Sequence, residues 1–201
     1  CKKLSASLGL KTNYDTSVLN EVACIEKVQL QEKGACVYKF EFEKTCKFTT
    51  RAECTGTGGN NTSGPGNFYS NKLCSAEELA TNCGPTTKTT CADGKDEVYF
   101  VDSCGNPANI YDASKTNDLS YWNEVIPKGE ACGAGSGSIN SASCGNCDYL
   151  QGSICRSDDI AEGRSATYGD FICADLNCKN TQNEKDYRHG ESWCIYNDAG
   201  S

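Results

Sequence analysis

The sequence predicts an α+β protein: one or more small, β-rich, disulfide-stapled domains with short helices and long loops. The chain has 201 residues and 16 cysteines, while Leu, Ile, Val and Phe together make up only about 15% of it. With a net charge of −8, a chain so poor in aliphatic residues cannot fold on apolar burial alone. Removing one native disulfide from a small secreted domain typically costs about 2–5 kcal/mol, so disulfides can supply the missing stability.

Three segments have the features of helices. In residues 17–30 the apolar side chains recur at helical intervals, although the β-branched members leave a strand as the alternative; they are Val18, Leu19, Val22, Ile25 and Val28. Ser75 with Glu78 three residues later forms a capping box, which predicts a short helix between Cys74 and Cys83. Residues 117–126 predict another short helix, which ends before Pro127.

Three segments have the features of strands. Residues 36–48 alternate between apolar and polar side chains, with Tyr38, Phe40 and Phe42 on one side. This pattern predicts one half-buried strand, and it makes the segment a candidate sheet edge for strand addition between subunits. Residues 96–102 are apolar on both faces, which predicts a central strand, and residues 109–112 follow a turn and predict its hairpin partner.

Two glycine-rich segments suggest how the chain is divided. Residues 56–67 have the composition of a long exposed loop, and overlapping sequons predict glycosylation at Asn60 and Asn61. Residues 133–143 are the most linker-like stretch. We therefore predict a disulfide-rich α+β domain over residues 1–128 and a loop-rich, cysteine-rich C-terminal lobe over residues 129–201.

The even number of cysteines predicts eight disulfides and no free thiol, although the sequence alone cannot give their connectivity. The cysteines predicted to be bonded are Cys1, Cys24, Cys36, Cys46, Cys54, Cys74, Cys83, Cys91, Cys104, Cys132, Cys144, Cys147, Cys155, Cys173, Cys178 and Cys194.

The segment CGNC, residues 144–147, has the spacing of a redox dithiol, half of a zinc site or one corner of a disulfide framework. No apolar strand precedes it and no good helix follows it, which disfavours a redox role. A zinc site would need a second C-x-x-C or more histidines, and the chain has one His. We therefore expect Cys144 and Cys147 to bond with separate partners, for which the candidates are Cys132, Cys155, Cys173, Cys178 and Cys194.

No catalytic residue and no cofactor site is predicted. His189 is the one candidate imidazole base, and the sequence has no G-x-S-x-G nucleophile elbow. Residues 175–186 are rich in the hard oxygen ligands that Ca²⁺ prefers, but they do not match an EF-hand, so a solvated loop is favoured over a calcium site. The weak candidate calcium ligands are Asp175, Asn177, Asn180, Glu184 and Asp186. Aromatic side chains could stack on sugars, yet in this composition we expect them to form the core.

The cysteine content predicts an extracellular or cell-surface location, because disulfides persist in oxidising compartments. Nucleic acid is not an expected partner, since no cluster of Lys and Arg is present. No apolar run approaches the roughly 20 residues of a transmembrane span. Cys1 is a candidate for lipidation, but lipidation would leave an odd number of cysteines.

The expected function is that of a non-enzymatic structural protein that self-associates into a cell-surface filament, sheath or coat. One alternative is an adhesin that binds a glycan or a partner cell. A secreted enzyme with a carboxylate site is the third reading. The absence of any recognisable catalytic motif, together with the large share of cysteines and turn residues, favours the structural role.

The segments GKDEVYFVDSCGNPANIYDASK (94–115) and CKNTQNEKDYRHGESWC (178–194) resemble parts of long, cysteine-rich, uncharacterised exported proteins of DPANN-type archaea. GPGNFYSNKLCSAEELATNCGPTTKTTC and GNCDYLQGSIC fit the same pattern, so the resemblance covers roughly residues 64–194. It implies a surface location and a repetitive disulfide architecture, and it supplies no activity, cofactor or catalytic residue. Such proteins run on past the ESWC segment, which implies that this chain is a piece of a longer protein or a shorter relative.

Overall fold

A computed structural model describes residues 18–40, 43–56, 66–159, 163–179 and 185–192. Several positions singled out in the sequence lie outside these residues: Cys1, Phe42, Asn60, Asn61, Asn180, Glu184 and Cys194. Of the helices within the described ranges, none has both the length and the apolar character that crossing a bilayer requires.

The described residues form two α-helices and three small antiparallel sheets, which confirms the predicted disulfide-stapled α+β fold. The helices are α1 (Glu21–Gln31) and α2 (Arg51–Thr55). The strands are β1 (Lys33–Phe40), β2 (Glu43–Thr50), β3 (Asn67–Ser70), β4 (Thr89–Cys91), β5 (Val98–Val101), β6 (Pro107–Ile110), β7 (Ser153–Ser157) and β8 (Phe171–Asp175). The 3-10 helices are Glu77–Leu79, Ala113–Lys115, Leu119–Trp122, Lys128–Glu130 and Tyr149–Gln151.

Helix α1 confirms the helix predicted over residues 17–30 and excludes the strand alternative. It begins after Asn20, whose side-chain oxygen accepts a hydrogen bond from the backbone N–H of Ala23 at 2.8 Å. This contact satisfies one of the N–H groups that a helix leaves free at its start. The helix therefore begins at its cap and not at the first apolar residue of the pattern.

The other two predicted helices are single 3-10 turns. Ser75 does not cap the turn Glu77–Leu79, because its hydroxyl donates to the carbonyl oxygen of Trp122 at 2.6 Å. The predicted capping box is therefore wrong. The turn Leu119–Trp122 has a cap of its own, since the carboxylate of Asp118 accepts from the N–H of Ser120 at 3.1 Å.

The first sheet has the strand order β2-β1-β3, and it corrects the single strand predicted over residues 36–48. That segment is a hairpin in which β1 and β2 pair with each other, with Phe40 opposite Glu43. The alternation of apolar and polar residues continues through the turn and so does not reveal it. β1 is the central strand, and β2 is the edge with exposed Lys44 and Lys47, which protect against further pairing.

The second sheet has the order β4-β5-β6, as predicted for a central strand and its hairpin partner. Phe100 of β5 is fully buried in the main core. The ring centroids of Tyr111, Tyr121 and Trp122 lie 5.2, 6.5 and 4.9 Å from its own. Aromatic side chains therefore supply most of the large apolar surface in this core, as the composition predicted.

Six disulfides join twelve of the described cysteines. The pairs are Cys36–Cys54, Cys46–Cys74, Cys83–Cys104, Cys91–Cys155, Cys132–Cys144 and Cys147–Cys173. The other two described cysteines, Cys24 and Cys178, have exposed free thiols. Among the described residues the structure thus has six of the eight predicted disulfides.

The main core crosses the domain boundary predicted between residues 128 and 129. Cys147 and Cys173 pack in the same cluster as Phe100 and Trp122. The linker-like segment 133–143 also packs against this part of the chain, since the backbone N–H of Asn140 donates to the carbonyl oxygen of Cys173 at 2.7 Å. Residues on both sides of the predicted boundary therefore share one core.

Asn106 connects the main core to a second, smaller core under the first sheet. Its side chain donates to the carbonyl oxygen of Cys46 at 3.2 Å and to the carboxylate of Asp102 at 3.0 Å, and its oxygen accepts from the N–H of Phe48 at 2.9 Å. The residue is only 8% exposed. Because each polar group of the amide is paired, this buried contact fixes the orientation of the two sheets.

Candidate functional site

Helix α1 exposes its apolar side chains. Val22, Ile25 and Val28 are 65, 48 and 66% exposed, and no residue of the helix is buried. These three side chains, spaced by three residues, form what we call the α1 stripe. The free thiol of Cys24 lies on the same helix. The α1 stripe is therefore an apolar surface that the described residues do not cover.

A groove with a volume of about 570 Å³ lies on the face of the second sheet that points away from the main core. Successive residues of a strand point to opposite faces of the sheet. Because Phe100 of β5 faces the main core, its neighbour Tyr99 faces the groove and lines it. Pro107 and Ile110 of β6 add apolar surface. Residues 125–128 line one side, and Lys33 and Phe48 of the first sheet belong to the same lining.

Glu97 is a buried carboxylate in this groove, and two neighbouring groups hold it. It is 6% exposed. The ammonium group of Lys128 lies 2.7 Å from one of its oxygens, and the hydroxyl of Tyr99 donates to the other at 3.0 Å. Lys128 also donates to the carbonyl oxygen of Cys147 at 2.8 Å. The ion pair therefore links the groove to the disulfide framework behind it.

Asn109 holds the backbone that forms one side of the groove. Its side-chain amide donates to the carbonyl oxygens of Tyr121 and Glu124 at 2.6 and 2.8 Å, and its oxygen accepts from the N–H of Ile126 at 2.8 Å. Since Asn109 is 3% exposed, these bonds form away from water. The side of the groove is thus fixed before any molecule binds.

The charges in the groove suit binding better than proton donation. Burial alone would raise the pKa of Glu97, but the bonds from Lys128 and Tyr99 outweigh it and bring the pKa below its ordinary value. Burial and the nearby carboxylate raise the pKa of Tyr99. Glu97 is therefore ionised at neutral pH and unsuited to act as a general acid. The groove offers apolar surface with a few fixed polar groups, as ligand sites do.

The CGNC segment is a corner of the disulfide framework. Cys144 is bonded to Cys132 and Cys147 to Cys173. The prediction that the two cysteines have separate partners is therefore confirmed. Neither sulfur is a thiol available for redox exchange or for binding zinc.

The described calcium candidates are held by groups of the protein itself. The carboxylate of Asp175 is 3.0 Å from Arg164, 3.5 Å from Lys179 and 3.1 Å from the side-chain nitrogen of Asn140. The side-chain oxygen of Asn177 accepts from the backbone N–H of His189 at 3.1 Å. Two cations of the protein thus occupy the place that a calcium ion would take at Asp175. Asp186 lies within the described residues, while Asn180 and Glu184 do not.

Two other groups with potential chemistry have structural roles. The ring of His189 packs edge-on against Tyr149, with centroids 4.8 Å apart. Asp102 lies near the sulfurs of Cys83 and Cys104, but those sulfurs form a disulfide and the carboxylate accepts from the backbone N–H of Cys104 and Asn106. A metal ion would find no thiolate there.

Replacing Asp175 by Asn should destabilise the protein by about 1.5–3 kcal/mol at neutral pH, the usual contribution of hydrogen bonds to a charged group. Burial would raise the pKa of Asp175, but hydrogen bonds from Asn140 and Asn177 and the charge of Lys179 lower it below its ordinary value. The carboxylate therefore stabilises the fold above the unfolded pKa of about 3.9, and this contribution is lost as the pH falls through the folded pKa.

Urea unfolding of the wild type and of D175N between neutral and acidic pH measures this effect. The difference between their unfolding midpoints should shrink as the pH falls below the unfolded pKa of Asp. A constant difference down to the lowest pH would contradict the assignment.

The residues of the groove were not recognised in the sequence. The alternation in DEVYFVD, residues 96–102, places Tyr99 opposite Val98 and Phe100, and this was the available signal. No signal in the sequence indicated that Lys128 is the partner of Glu97, because the two residues are 31 positions apart and no motif links them. Sequence reasoning found the α1 stripe as a helix pattern but assigned it no exposed surface.

The fold and the two surfaces define a small disulfide-stabilised α+β protein. In comparisons with family models, with curated proteins and with solved structures, none matches the chain.

Proposed function

We propose that this chain is a non-enzymatic extracellular structural protein, a subunit that self-associates into a cell-surface filament, sheath or coat. The α1 stripe is the observation that carries the proposal. Val22, Ile25 and Val28 are all about half exposed or more. A row of aliphatic side chains in water is typical of a contact surface for another protein.

The spacing of the α1 stripe favours a second copy of this chain as the partner. The stripe is symmetric about Ile25. In an antiparallel pair of α1 helices, Val22 of one copy lies opposite Val28 of the other, and the two Ile25 side chains meet. Such a contact is self-complementary, as two-fold interfaces are. An isolated helix of 11 residues is marginal in water, so pairing would also stabilise it.

The disulfide framework supports an extracellular setting and a rigid subunit. Twelve of the described cysteines are bonded in six pairs that connect all three sheets to neighbouring segments. Disulfides in such number persist where the surroundings are oxidising. A subunit of this kind keeps its shape after export, when no cellular machinery can refold it.

Sedimentation and electron microscopy of the purified, oxidised protein test the proposal. The wild type should form oligomers or polymers as its concentration rises. The variant V22S/I25S/V28S should remain monomeric, because it lacks the apolar stripe. The matched control A23S/K27S/Q31S changes the opposite side of α1 and should assemble like the wild type. A wild type that is strictly monomeric at high concentration would exclude the structural role.

The groove favours a second candidate function, that of an adhesin that binds an uncharged oligosaccharide. The ring of Tyr99 supplies a surface on which a sugar can stack. Asp93 and Lys95 lie in the same lining and offer acceptors and donors for hydroxyl groups. Charges of both signs in the lining, with Lys33 and Glu97 among them, give no preference for an ionic ligand.

A glycan array followed by titration calorimetry tests this second function. Tyr99→Ala should abolish binding of any glycan that the wild type retains. The control Tyr69→Ala removes an exposed tyrosine of the first sheet and should leave binding unchanged. If the wild type retains no glycan on the array, the second function is excluded.

A further inference from the structure

The disulfide Cys83–Cys104 differs from the other five described disulfides in its exposure. Of the twelve bonded cysteines that the structure describes, Cys104 alone is exposed, while its partner Cys83 is buried. Exposed disulfides are the labile ones, because external thiols can reach them. We propose that Cys83–Cys104 is a redox-sensitive link, which an external dithiol reduces before the other described disulfides and whose loss loosens the contact between the first two sheets. This inference does not depend on whether the groove binds a glycan or the chain self-associates.

The position of this disulfide makes it a covalent link between the smaller core and the second sheet. Cys83 packs in the smaller core, and Cys104 lies in the turn between β5 and β6. Of the other five pairs, two lie within residues 36–74 and three within residues 91–173. Among the described disulfides, Cys83–Cys104 is therefore the one that crosses from the smaller core to the second sheet.

The turn that carries Cys104 also positions the buried amide of Asn106. The carboxylate of Asp102 accepts from the backbone N–H of Cys104 at 2.9 Å and from that of Asn106 at 2.8 Å. These bonds make residues 102–106 one compact turn. Since the side-chain oxygen of Asn106 accepts from the N–H of Phe48 in β2 at 2.9 Å, a shift of this turn changes the contact between the two sheets.

Without the disulfide, only noncovalent contacts hold this turn against residues 82–84. The N–H of Ser103 donates to the carbonyl oxygen of Gly84 at 2.9 Å, and the N–H of Gly84 donates to the hydroxyl oxygen of Ser103 at 2.8 Å. Ser103 is exposed, so water competes for these bonds and their net contribution is small. Reduction of Cys83–Cys104 should therefore give the turn more freedom to move.

The groove lies across the same contact between the sheets. Phe48 lines it from the first sheet, and Pro107, the residue that follows Asn106, lines it from the second. Because the turn holds Asn106 against the N–H of Phe48, a looser turn lets the two sides of the groove move relative to each other. The shape of the groove should therefore depend on the redox state of this one disulfide.

Asp102 slows the reduction but does not prevent it. Its carboxylate lies within 4.8 Å of both sulfurs, and a negative charge there disfavours the thiolate that must leave. Two backbone N–H groups and the side-chain amide of Asn106 donate to this carboxylate and offset part of its charge. Access to the sulfur therefore decides the order of reduction, since neither cysteine of any other described pair is exposed.

The reduction is a thiol–disulfide exchange with a dithiol as the electron donor. The thiolate of the dithiol attacks the sulfur of Cys104, the S–S bond of the protein breaks, and the sulfur of Cys83 leaves and takes up a proton. The second thiolate of the dithiol then attacks the dithiol's own sulfur in the mixed disulfide and releases the thiol of Cys104. Two electrons and two protons pass to the protein in total, and the dithiol leaves as a disulfide.

Graded reduction with dithiothreitol, followed by mass spectrometry, tests the order of reduction. The free thiols of the oxidised protein are first blocked by alkylation, and samples are then quenched with a second alkylating reagent at increasing times. Cys83 and Cys104 should acquire the second reagent together, before the other ten described cysteines that are bonded. Earlier reduction of another described pair, or simultaneous reduction of all six, would overturn the proposal.

Hydrogen exchange, measured by NMR on the partly reduced protein, tests whether the contact between the sheets loosens. The N–H of Phe48 should exchange at least about fivefold faster than in the oxidised protein, the change expected when one ordinary hydrogen bond is lost. The N–H of Tyr111, which donates to the carbonyl oxygen of Val98 at 2.9 Å in the main core, should keep its rate. Re-oxidation should restore the slow exchange of Phe48. An unchanged rate at Phe48, or an equal increase at Tyr111, contradicts the proposal.

The variant C83S/C104S provides the loosened state without a reductant. Its Phe48 N–H should exchange at the rate found in the partly reduced wild type. The matched control C132S/C144S removes a disulfide that lies away from the turn and should keep the Phe48 rate of the oxidised wild type. If C83S/C104S does not fold, the exchange rates of the partly reduced wild type decide the question.

Discussion

Replacing both Cys91 and Cys155 by serine should lower the free energy of unfolding by about 4 kcal/mol. The disulfide closes a loop of 64 residues, the longest among the described pairs, and the restraint that it places on the unfolded chain grows with loop length. It also joins β4 to β7, and therefore the second sheet to the third. Because a domain has a total stability of only about 5–15 kcal/mol, the variant should unfold at a much lower urea concentration.

Urea unfolding followed by far-ultraviolet circular dichroism measures the loss. C132S/C144S is the matched control, since it removes a disulfide that closes 12 residues and should cost about 3 kcal/mol. A larger loss in the control than in C91S/C155S would show that loop length does not determine which disulfide matters most in this protein.

Phe100→Ala should cost about 3–5 kcal/mol, the usual range for removing a buried aromatic side chain. Phe100 is fully buried and three other aromatic rings surround it. The cavity left by its ring cannot be filled by aliphatic neighbours, because the cluster around it consists mainly of aromatic residues and cysteines. This variant removes the centre of the main core.

The same unfolding experiment on Tyr69→Ala provides the comparison. Tyr69 is an aromatic residue of β3 that is 41% exposed, and its replacement should cost about 1 kcal/mol or less. Similar losses for the two variants would mean that the aromatic cluster does not dominate the stability of the fold.

The composition predicted which types of residue form the core more accurately than local patterns predicted the helices and strands. The shortage of aliphatic residues pointed to aromatic side chains and disulfides, and Trp122, Tyr111 and Phe100 are among the largest fully buried residues. The single His and the missing second C-x-x-C were enough to identify CGNC as part of the disulfide framework. These inferences depended on counts over the whole chain, which no local turn or register can change.

Predictions that depended on where an element ends were less successful. The period of two in residues 36–48 is the same in one strand as in a hairpin, because the side chains resume their alternation after the turn. Ser75 has the sequence of a cap, but a distant carbonyl group, that of Trp122, takes its hydroxyl. The hairpin was decided by pairing within the segment itself, and the loss of the cap by a contact between residues 47 positions apart.

The same difference holds for the two candidate surfaces: the types of residue in them were visible in the sequence, but the contacts between these residues were not. A helix pattern around Ile25 was visible in the sequence, yet its exposure depends on which segments pack against it. The ion pair of Glu97 with Lys128 joins two segments that only the folded sheet brings together. The sequence could therefore indicate residues with suitable chemistry, but only the fold shows which of them meet.

The six disulfides also affect how this protein can evolve. Covalent bonds between fixed positions hold the sheets together, so many of the residues between the cysteines can change without loss of the fold. Mutations should therefore accumulate in these intervening segments faster than at the twelve bonded positions. Distant homologues of this chain should be recognisable by the order and spacing of their cysteines long after the identity of the other residues has been lost.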